Sequence, residues 1–205
     1  MKVLFGKPLL ILLLCMLPFG CESIPDAPIP TRILMLGDSL TAGGHWNTLT
    51  GRADIRNEGL GGATTQSVLN RFDNELLQES VELCFLMIGT NDIGGGISVP
   101  QIKKNIELII NGLEARNIQV VIQSTLFVSE DYPTASARNE QIELLNNDLK
   151  AISEEKELPF LDLNEILAPE GYLLDRYTQD GIHLMEDGYR LWVSQVLPII
   201  DSYGI

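Results

Sequence analysis

Short apolar runs alternate with helical patterns along most of this chain, and this alternation restricts the fold more than any other feature of the sequence. Between the runs, apolar residues recur over residues 102–113 and 142–152 at the spacing of one helix face. Because two parallel strands need a long crossover between them, the pattern predicts a parallel sheet with helices on both faces. The predicted strands are residues 32–36, 53–57, 83–88, 119–123 and 159–163.

The sequence also predicts where two of the helices lie. Ser98 stands three positions before Gln101, a spacing that predicts a capping box at the start of the helix that follows. A closing helix is predicted over residues 186–202. No internal repeat interrupts this order, so we expect one folded unit.

The first part of the chain differs in composition from the rest. Lys2 and Lys7 precede an apolar stretch at residues 9–17, which is shorter than the roughly 20 residues that cross a bilayer. This order predicts a signal peptide over residues 1–20. Cys21 follows Gly20, and the segment resembles a bacterial lipoprotein signal, which implies that Cys21 is lipidated and becomes the new N-terminus. Simple secretion is the alternative.

A proline-rich segment at residues 21–30 follows the predicted signal. Pro25, Pro28 and Pro30 favour a semi-extended tether. The remaining residues, 31–205, have the length and apolar content of one domain. We therefore expect an exported protein, which contacts a membrane only through the lipid on Cys21 and faces the periplasm or the cell exterior.

The charge of the chain limits its partners. Its formal net charge is −14, and the predicted loss of Lys2 and Lys7 would make the mature chain two units more negative. No run of Lys or Arg interrupts this balance, which argues against nucleic acid as a partner. With two histidines and three cysteines, the sequence predicts neither a disulfide framework nor a metal site.

Polar residues with reactive side chains follow the predicted strands. Ser39 comes after the first strand, Gly62 after the second and Asn91 after the third, while His183 precedes the closing helix. In open α/β sheets, ligands bind beyond the carboxyl ends of the strands. We therefore expect these residues to meet at one edge of the sheet.

A serine hydroxyl needs a base to remove its proton before it attacks a carbonyl. His183 follows Asp180 by three positions, and a turn through Gly181 lets the carboxylate reach the imidazole and orient it. The other histidine, His45, has no acid close to it in the sequence and is expected at the surface or at the start of a helix. The sequence therefore predicts Ser39, His183 and Asp180 as nucleophile, base and orienting acid.

Acyl transfer also needs hydrogen-bond donors for the oxygen that becomes negative. Ser39 offers its backbone N–H, Gly62 offers a backbone N–H without an obstructing Cβ, and Asn91 offers a side-chain amide. Gly59 and Gly61 compete with Gly62 for this role. Asp38 and Asp92 are expected to support their own turns rather than to act chemically.

Four sequence blocks together resemble the SGNH (GDSL-type) hydrolase family. They are residues 37–40 (Gly-Asp-Ser-Leu), 57–62, 89–92 (Gly-Thr-Asn-Asp) and 180–183 (Asp-Gly-Ile-His), and the resemblance extends over residues 33–200. It implies a three-layer α/β/α, flavodoxin-like fold with a five-stranded parallel sheet in the order 2-1-3-4-5. It further implies a Ser39–His183–Asp180 triad, an oxyanion hole of Ser39, Gly62 and Asn91, and no metal or organic cofactor.

The same resemblance implies a small-molecule acyl ester as substrate, as in esterases and lysophospholipases. A carbohydrate O-deacetylase or an acyltransferase would use the same residues, and an inactive surface-anchored binding module is the alternative outside enzymes. We expect specificity to lie in the loops at residues 93–100 and 127–135. The sequence does not predict the acyl length, the leaving group or the oligomeric state.

Overall fold

The computed structural model describes residues 30–72 and 80–205, so the predicted signal peptide, Cys21 and most of the tether lie outside the described residues. Five strands form one sheet in the order β2-β1-β3-β4-β5, and every neighbouring pair is parallel. The predicted fold class and strand order are confirmed. The strands are β1 Ile33–Gly37, β2 Ile55–Gly59, β3 Leu83–Met87, β4 Gln119–Gln123 and β5 Phe160–Leu161.

Long helices connect and cover the strands, and short ones follow the strand ends. The helices are α1 Ser39–Ala42, α2 Trp46–Thr50, α3 Thr65–Arg71, α4 Thr90–Gly94, α5 Val99–Glu114, α6 Ala135–Lys156, α7 Asn164–Leu167 and α8 Glu186–Ser202, with a 3₁₀ turn at Asp175–Tyr177. Within the described ranges, no helix is long and apolar enough to cross a membrane.

The sheet separates two apolar cores because successive side chains of a strand point to opposite faces. Leu34 and Leu36 of β1 join one buried cluster with α5 and α6. Ile33 and Met35 join the other cluster with α8, where Trp192 is fully buried. Both faces of the sheet are therefore covered, which gives three layers and leaves the strand ends as the accessible edge.

The predicted capping box at Ser98 is wrong, although α5 does begin directly after this residue. The Ser98 side chain makes no capping hydrogen bond. The Gln101 N–H instead donates to the Ser98 carbonyl at 2.9 Å, and the Gln101 side chain donates to Asn105 Oδ1 at 2.9 Å. A capping box that the sequence analysis missed joins Thr64 and Ser67 at the start of α3.

Candidate active site

The carboxyl edge of the sheet brings the predicted residues to one place. Ser39 is the first residue of α1, immediately beyond β1, and Asn91 lies in α4, immediately beyond β3. Gly62 lies in the loop between β2 and α3. His183 comes from the loop before α8, which is 144 positions from Ser39 in the chain.

A chain of hydrogen bonds joins Ser39, His183 and Asp180. The Ser39 Oγ lies 3.0 Å from His183 Nε2, and Asp180 Oδ2 lies 2.6 Å from His183 Nδ1. With the Nδ1 proton on the carboxylate side, Nε2 is free to accept the serine proton. The arrangement therefore has the geometry that activates a hydroxyl for attack on a carbonyl.

The loop that carries His183 is fixed by its own hydrogen bonds. Asp180 Oδ1 accepts the backbone N–H groups of Ile182 at 3.0 Å and of His183 at 2.8 Å. Gly181 has a φ of +83°, and a Cβ at this position would lie 2.6 Å from Ser129 Oγ. A glycine is therefore required for the turn that aims Asp180 back at the imidazole.

The hydrogen bonds around Asp180 also determine its charge. Partial burial acts to raise the pKa of this carboxyl, but the hydrogen bond with the His183 ring and those from the N–H groups of His183 and Ile182 outweigh it. The net effect holds the pKa of Asp180 well below its usual range. The carboxylate is therefore negative at any pH at which the imidazole acts as a base.

Asp38 lies directly before the serine and is 1% exposed. Its Oδ1 accepts the Leu40 N–H at 3.0 Å and so caps α1, while its Oδ2 has no hydrogen-bond partner among the described residues. Burial raises the pKa of Asp38 to about 6, against the opposing effects of the Leu40 N–H and the nearby His183. Asp38 thus supports the turn, as the sequence predicted.

The residues predicted as oxyanion donors lie in α1, in the β2–α3 loop and in α4, and a hydrogen bond joins the last two of these segments. Asn91 Nδ2 donates to the Ala63 carbonyl at 2.9 Å, which uses one of its two amide hydrogens. Gly62 has a φ of +73°, and a Cβ at this position would have no described atom within 4 Å. Ser39 is the first residue of α1, where a helix leaves the backbone N–H without an intrahelical partner.

A buried network behind these donors was not predicted from the sequence. Asp92 is 1% exposed, and its carboxylate accepts the Thr65 N–H at 2.9 Å and the Thr65 hydroxyl at 2.6 Å. Asn105 Nδ2 donates to the Thr65 hydroxyl at 2.9 Å. Because Asp92 adjoins Asn91 and Thr65 begins α3, this network holds the two donor-bearing segments against each other.

Two further residues have reactive side chains, and the first of them, His45, occupies the kind of position that the sequence predicted. His45 is exposed at the start of α2, where it makes no capping hydrogen bond, and it lines a cavity of about 480 Å³ together with Leu184. Cys84 is fully buried in β3, and burial raises the pKa of its thiol, which argues against a nucleophilic role. Among the described residues, no cluster of His, Cys, Asp or Glu is suited to holding a metal ion.

A parallel sheet in this order, with a serine, an imidazole and a carboxylate in one hydrogen-bonded chain at its carboxyl edge, defines a class of α/β acylhydrolases. The family model described as GDSL-like lipase/acylhydrolase matches residues 35–191, and the chain belongs to this family.

Two curated relatives and one solved structure illustrate the likeness. The N-acylneuraminate cytidylyltransferase of Streptococcus agalactiae is 29% identical over 82% of this chain, but the match spans only 38% of that protein. The isoamyl acetate-hydrolyzing esterase of Saccharomyces cerevisiae is 25% identical over 90% of this chain and 85% of its own length. The lipase/acylhydrolase from Enterococcus faecalis shares the fold, with a TM-score of 0.74, 22% identity and coverage of 84% and 96% of the two chains.

Proposed function

We propose that the protein cleaves carboxylic acyl esters through an acyl-enzyme intermediate on Ser39. The observation that carries the proposal is the hydrogen-bonded chain from Ser39 Oγ through the His183 imidazole to Asp180. A small hydroxyl is a weak nucleophile at neutral pH, and this chain supplies both the base and the group that orients the base. The family and its esterase relative support the same chemistry.

The proposed reaction has two symmetrical halves. His183 Nε2 takes the Ser39 proton while Oγ attacks the ester carbonyl, and the same nitrogen then gives that proton to the oxygen of the leaving alcohol. Water next loses a proton to His183 and attacks the acyl-enzyme, which releases the carboxylic acid and returns the proton to Ser39. Asp180 stabilises the imidazolium that exists between these transfers.

The negative oxygen of each tetrahedral intermediate needs donors that are already in place. We assign this role to the backbone N–H groups of Ser39 and Gly62 and to the second amide hydrogen of Asn91. The hydrogen bond of Asn91 to Ala63, next to Gly62, supports the assignment because it holds the side-chain amide beside that loop.

The nucleophile is tested with short-chain p-nitrophenyl esters and a fluorophosphonate label. Ser39→Ala should lower kcat by about 10⁴-fold or more and abolish labelling. Ser194→Ala is the matched control, since Ser194 is exposed on α8 and its hydroxyl bonds to the Leu191 carbonyl and the Gln195 side chain of the same helix. A folded wild-type protein that takes no label would favour the binding module, and full turnover by Ser39→Ala would exclude this mechanism.

The position of the protein in the cell is a separate part of the proposal. We propose that residues 1–20 are removed and that a lipid on Cys21 anchors the residue 31–205 domain through the tether. Mass spectrometry of the mature N-terminus from the native host should find a diacylated Cys21, and Cys21→Ser should release the protein from the membrane fraction. An unmodified N-terminus beyond residue 21 would contradict the anchor.

A further inference from the structure

We propose that the cavity of about 480 Å³ beside His183 is the subsite for the alcohol part of the ester, and that it accepts an uncharged alcohol with an apolar body. The proposal rests on the Ser39–His183 mechanism described above. We call this space the alcohol cavity. Its lining includes Gly43, His45, Thr48, Leu49, Leu184 and Tyr189.

The walls of the alcohol cavity include residues that are joined to the backbone of α1, which carries Ser39, and a residue that follows His183 in the chain. The Gly43 N–H donates to the Ser39 carbonyl at 3.0 Å, and the Tyr189 hydroxyl donates to the Leu40 carbonyl at 2.8 Å. Leu184 directly follows His183 and is 8% exposed. The lining therefore begins four positions after Ser39, at Gly43, and one position after His183, at Leu184, although neither reacting residue is itself part of the lining.

The chemistry assigns one part of the ester to this side. The leaving oxygen must lie within hydrogen-bond reach of His183 Nε2, because that nitrogen gives it a proton as the bond to the acyl carbon breaks. The carbonyl oxygen must instead face Gly62 and Asn91, which lie in the β2–α3 loop and in α4, whereas the lining of the cavity comes from residues 43–49 and 184–189. The alcohol thus extends into the alcohol cavity, while the acyl group remains on the serine.

The lining selects the kind of alcohol. Leu49, Leu184 and the ring of Tyr189 supply apolar surface, and the Tyr189 hydroxyl is already bonded to Leu40. Among the described residues that line the cavity, Glu186 is the charged group, and Lys and Arg are lacking. An anionic leaving group would meet the Glu186 carboxylate, whose ion-pair partner Arg190 is not part of the lining, so an uncharged alcohol is favoured.

The first test fills the cavity. Thr48→Trp places a large ring on an exposed lining position of α2, and Asn47→Trp is the matched control on an exposed neighbour that is absent from the lining. Thr48→Trp should lower kcat/KM for 2-phenylethyl acetate by about tenfold or more but leave ethyl acetate nearly unchanged. The rate of acetyl-enzyme hydrolysis should stay the same, since the alcohol has already left.

The results separate this inference from the proposed function. If the wild-type protein has no esterase activity, or if its activity survives Ser39→Ala, the mechanism itself is contradicted. Ser39-dependent activity in which Thr48→Trp slows both acetates equally, or slows acetyl-enzyme hydrolysis, would overturn the alcohol cavity alone. If Thr48→Trp slows acetyl-enzyme hydrolysis, the alcohol cavity holds the acyl group instead.

The second test concerns charge. Methyl 4-acetoxybenzoate and 4-acetoxybenzoate differ in their leaving groups by the charge of one distant carboxyl. Wild type should hydrolyse the uncharged ester with a kcat/KM about tenfold higher or more, after correction for the spontaneous rates of the two esters. Equal values, or a preference for the anion, would overturn the claim that the cavity selects uncharged alcohols.

Discussion

At the scale of one residue, Asp38 supports the turn at the nucleophile, but the burial of its carboxyl reduces the stability of the folded protein. Its carboxyl is buried, one of its oxygens has no hydrogen-bond partner among the described residues, and burial raises its pKa to about 6. The unfolded chain would bind this proton only below about pH 4. The folded protein therefore binds more protons than the unfolded chain between these values, and stability falls as the pH rises through them.

We predict that Asp38→Asn flattens this part of the pH–stability profile. The free energy of unfolding of wild type should fall by roughly 3 kcal/mol between about pH 4 and pH 7 through this group. Asn retains an oxygen that can accept the Leu40 N–H but carries no titrating proton. Urea denaturation across the range measures the difference, with the exposed Asp131→Asn as control. Parallel profiles for Asp38→Asn and wild type would contradict the prediction.

Asn91 carries the prediction for the oxyanion hole. Asn91→Ala should lower kcat by about 10²- to 10³-fold with little change in KM, because the donor acts on charge that develops in the transition state. Asn70→Ala is the matched control on an exposed position of α3. Steady-state kinetics measure both constants, and an unchanged kcat for Asn91→Ala would remove the residue from the proposed hole.

The sequence was sufficient to predict that Ser39 and His183 lie within hydrogen-bond distance of each other. Ser39, Asn91 and His183 each follow a recognisable strand end or precede a helix, so that the order of a parallel sheet places them at one edge. The partners of Asp38 and Asp92 could not be predicted in the same way. The sequence does not distinguish a buried aspartate from an exposed one, because the burial of the side chain depends on how the elements pack together.

At the scale of elements, the start of α3 is held to α4 by the Asp92 carboxylate. This carboxylate accepts hydrogen bonds from both the N–H and the hydroxyl of Thr65, and the Thr65 hydroxyl in turn accepts one from Asn105 of α5. Buried donors that lose a charged acceptor are left unsatisfied, which costs about 1–3 kcal/mol for each group. The network therefore contributes both to stability and to the placement of Gly62 beside Asn91.

We predict that Asp92→Ala lowers the free energy of unfolding by about 2–4 kcal/mol and also lowers kcat. Asp92→Asn keeps one acceptor oxygen for Thr65, so its loss of stability should be smaller. Chemical denaturation and steady-state kinetics of the two variants provide the comparison. Equal stability of Asp92→Ala and wild type would show that the network does not hold α3 to α4.

The buried strands were easier to predict than the short helices. The predicted strands 83–88 and 119–123 agree closely with β3 and β4, because an unbroken apolar run marks a strand that is buried on both faces. Short helices such as α1 and α4 have too few residues to show a helical period. The capping box at Ser98 failed because Gln101 finds a partner in Asn105 within the same helix.

At the scale of the whole molecule, the C-terminal helix closes one face of the sheet. Trp192 of α8 stacks beside Tyr189 and packs edge-on against Trp46 of α2. Its indole N–H donates at 2.7 Å to Gln123 Oε1 at the end of β4, 69 positions away in the chain. The periodicity of the sequence does not predict such a polar contact between two distant apolar segments. It indicates which face of a helix or strand is buried, but not which residues of two elements contact each other.

A double-mutant cycle on this pair tests how strongly the closing helix is coupled to the sheet. Trp192→Phe should leave the 1%-exposed Gln123 without its donor, and Gln123→Leu should leave the indole N–H unsatisfied, at about 1–3 kcal/mol for each group. The double variant removes both polar groups together, so its loss should be smaller than the sum of the single losses by about 1 kcal/mol or more. Urea denaturation of the four proteins measures this difference. Additive losses, within about 0.5 kcal/mol, would mean that α8 is held to the sheet by apolar packing and not by the buried hydrogen bond.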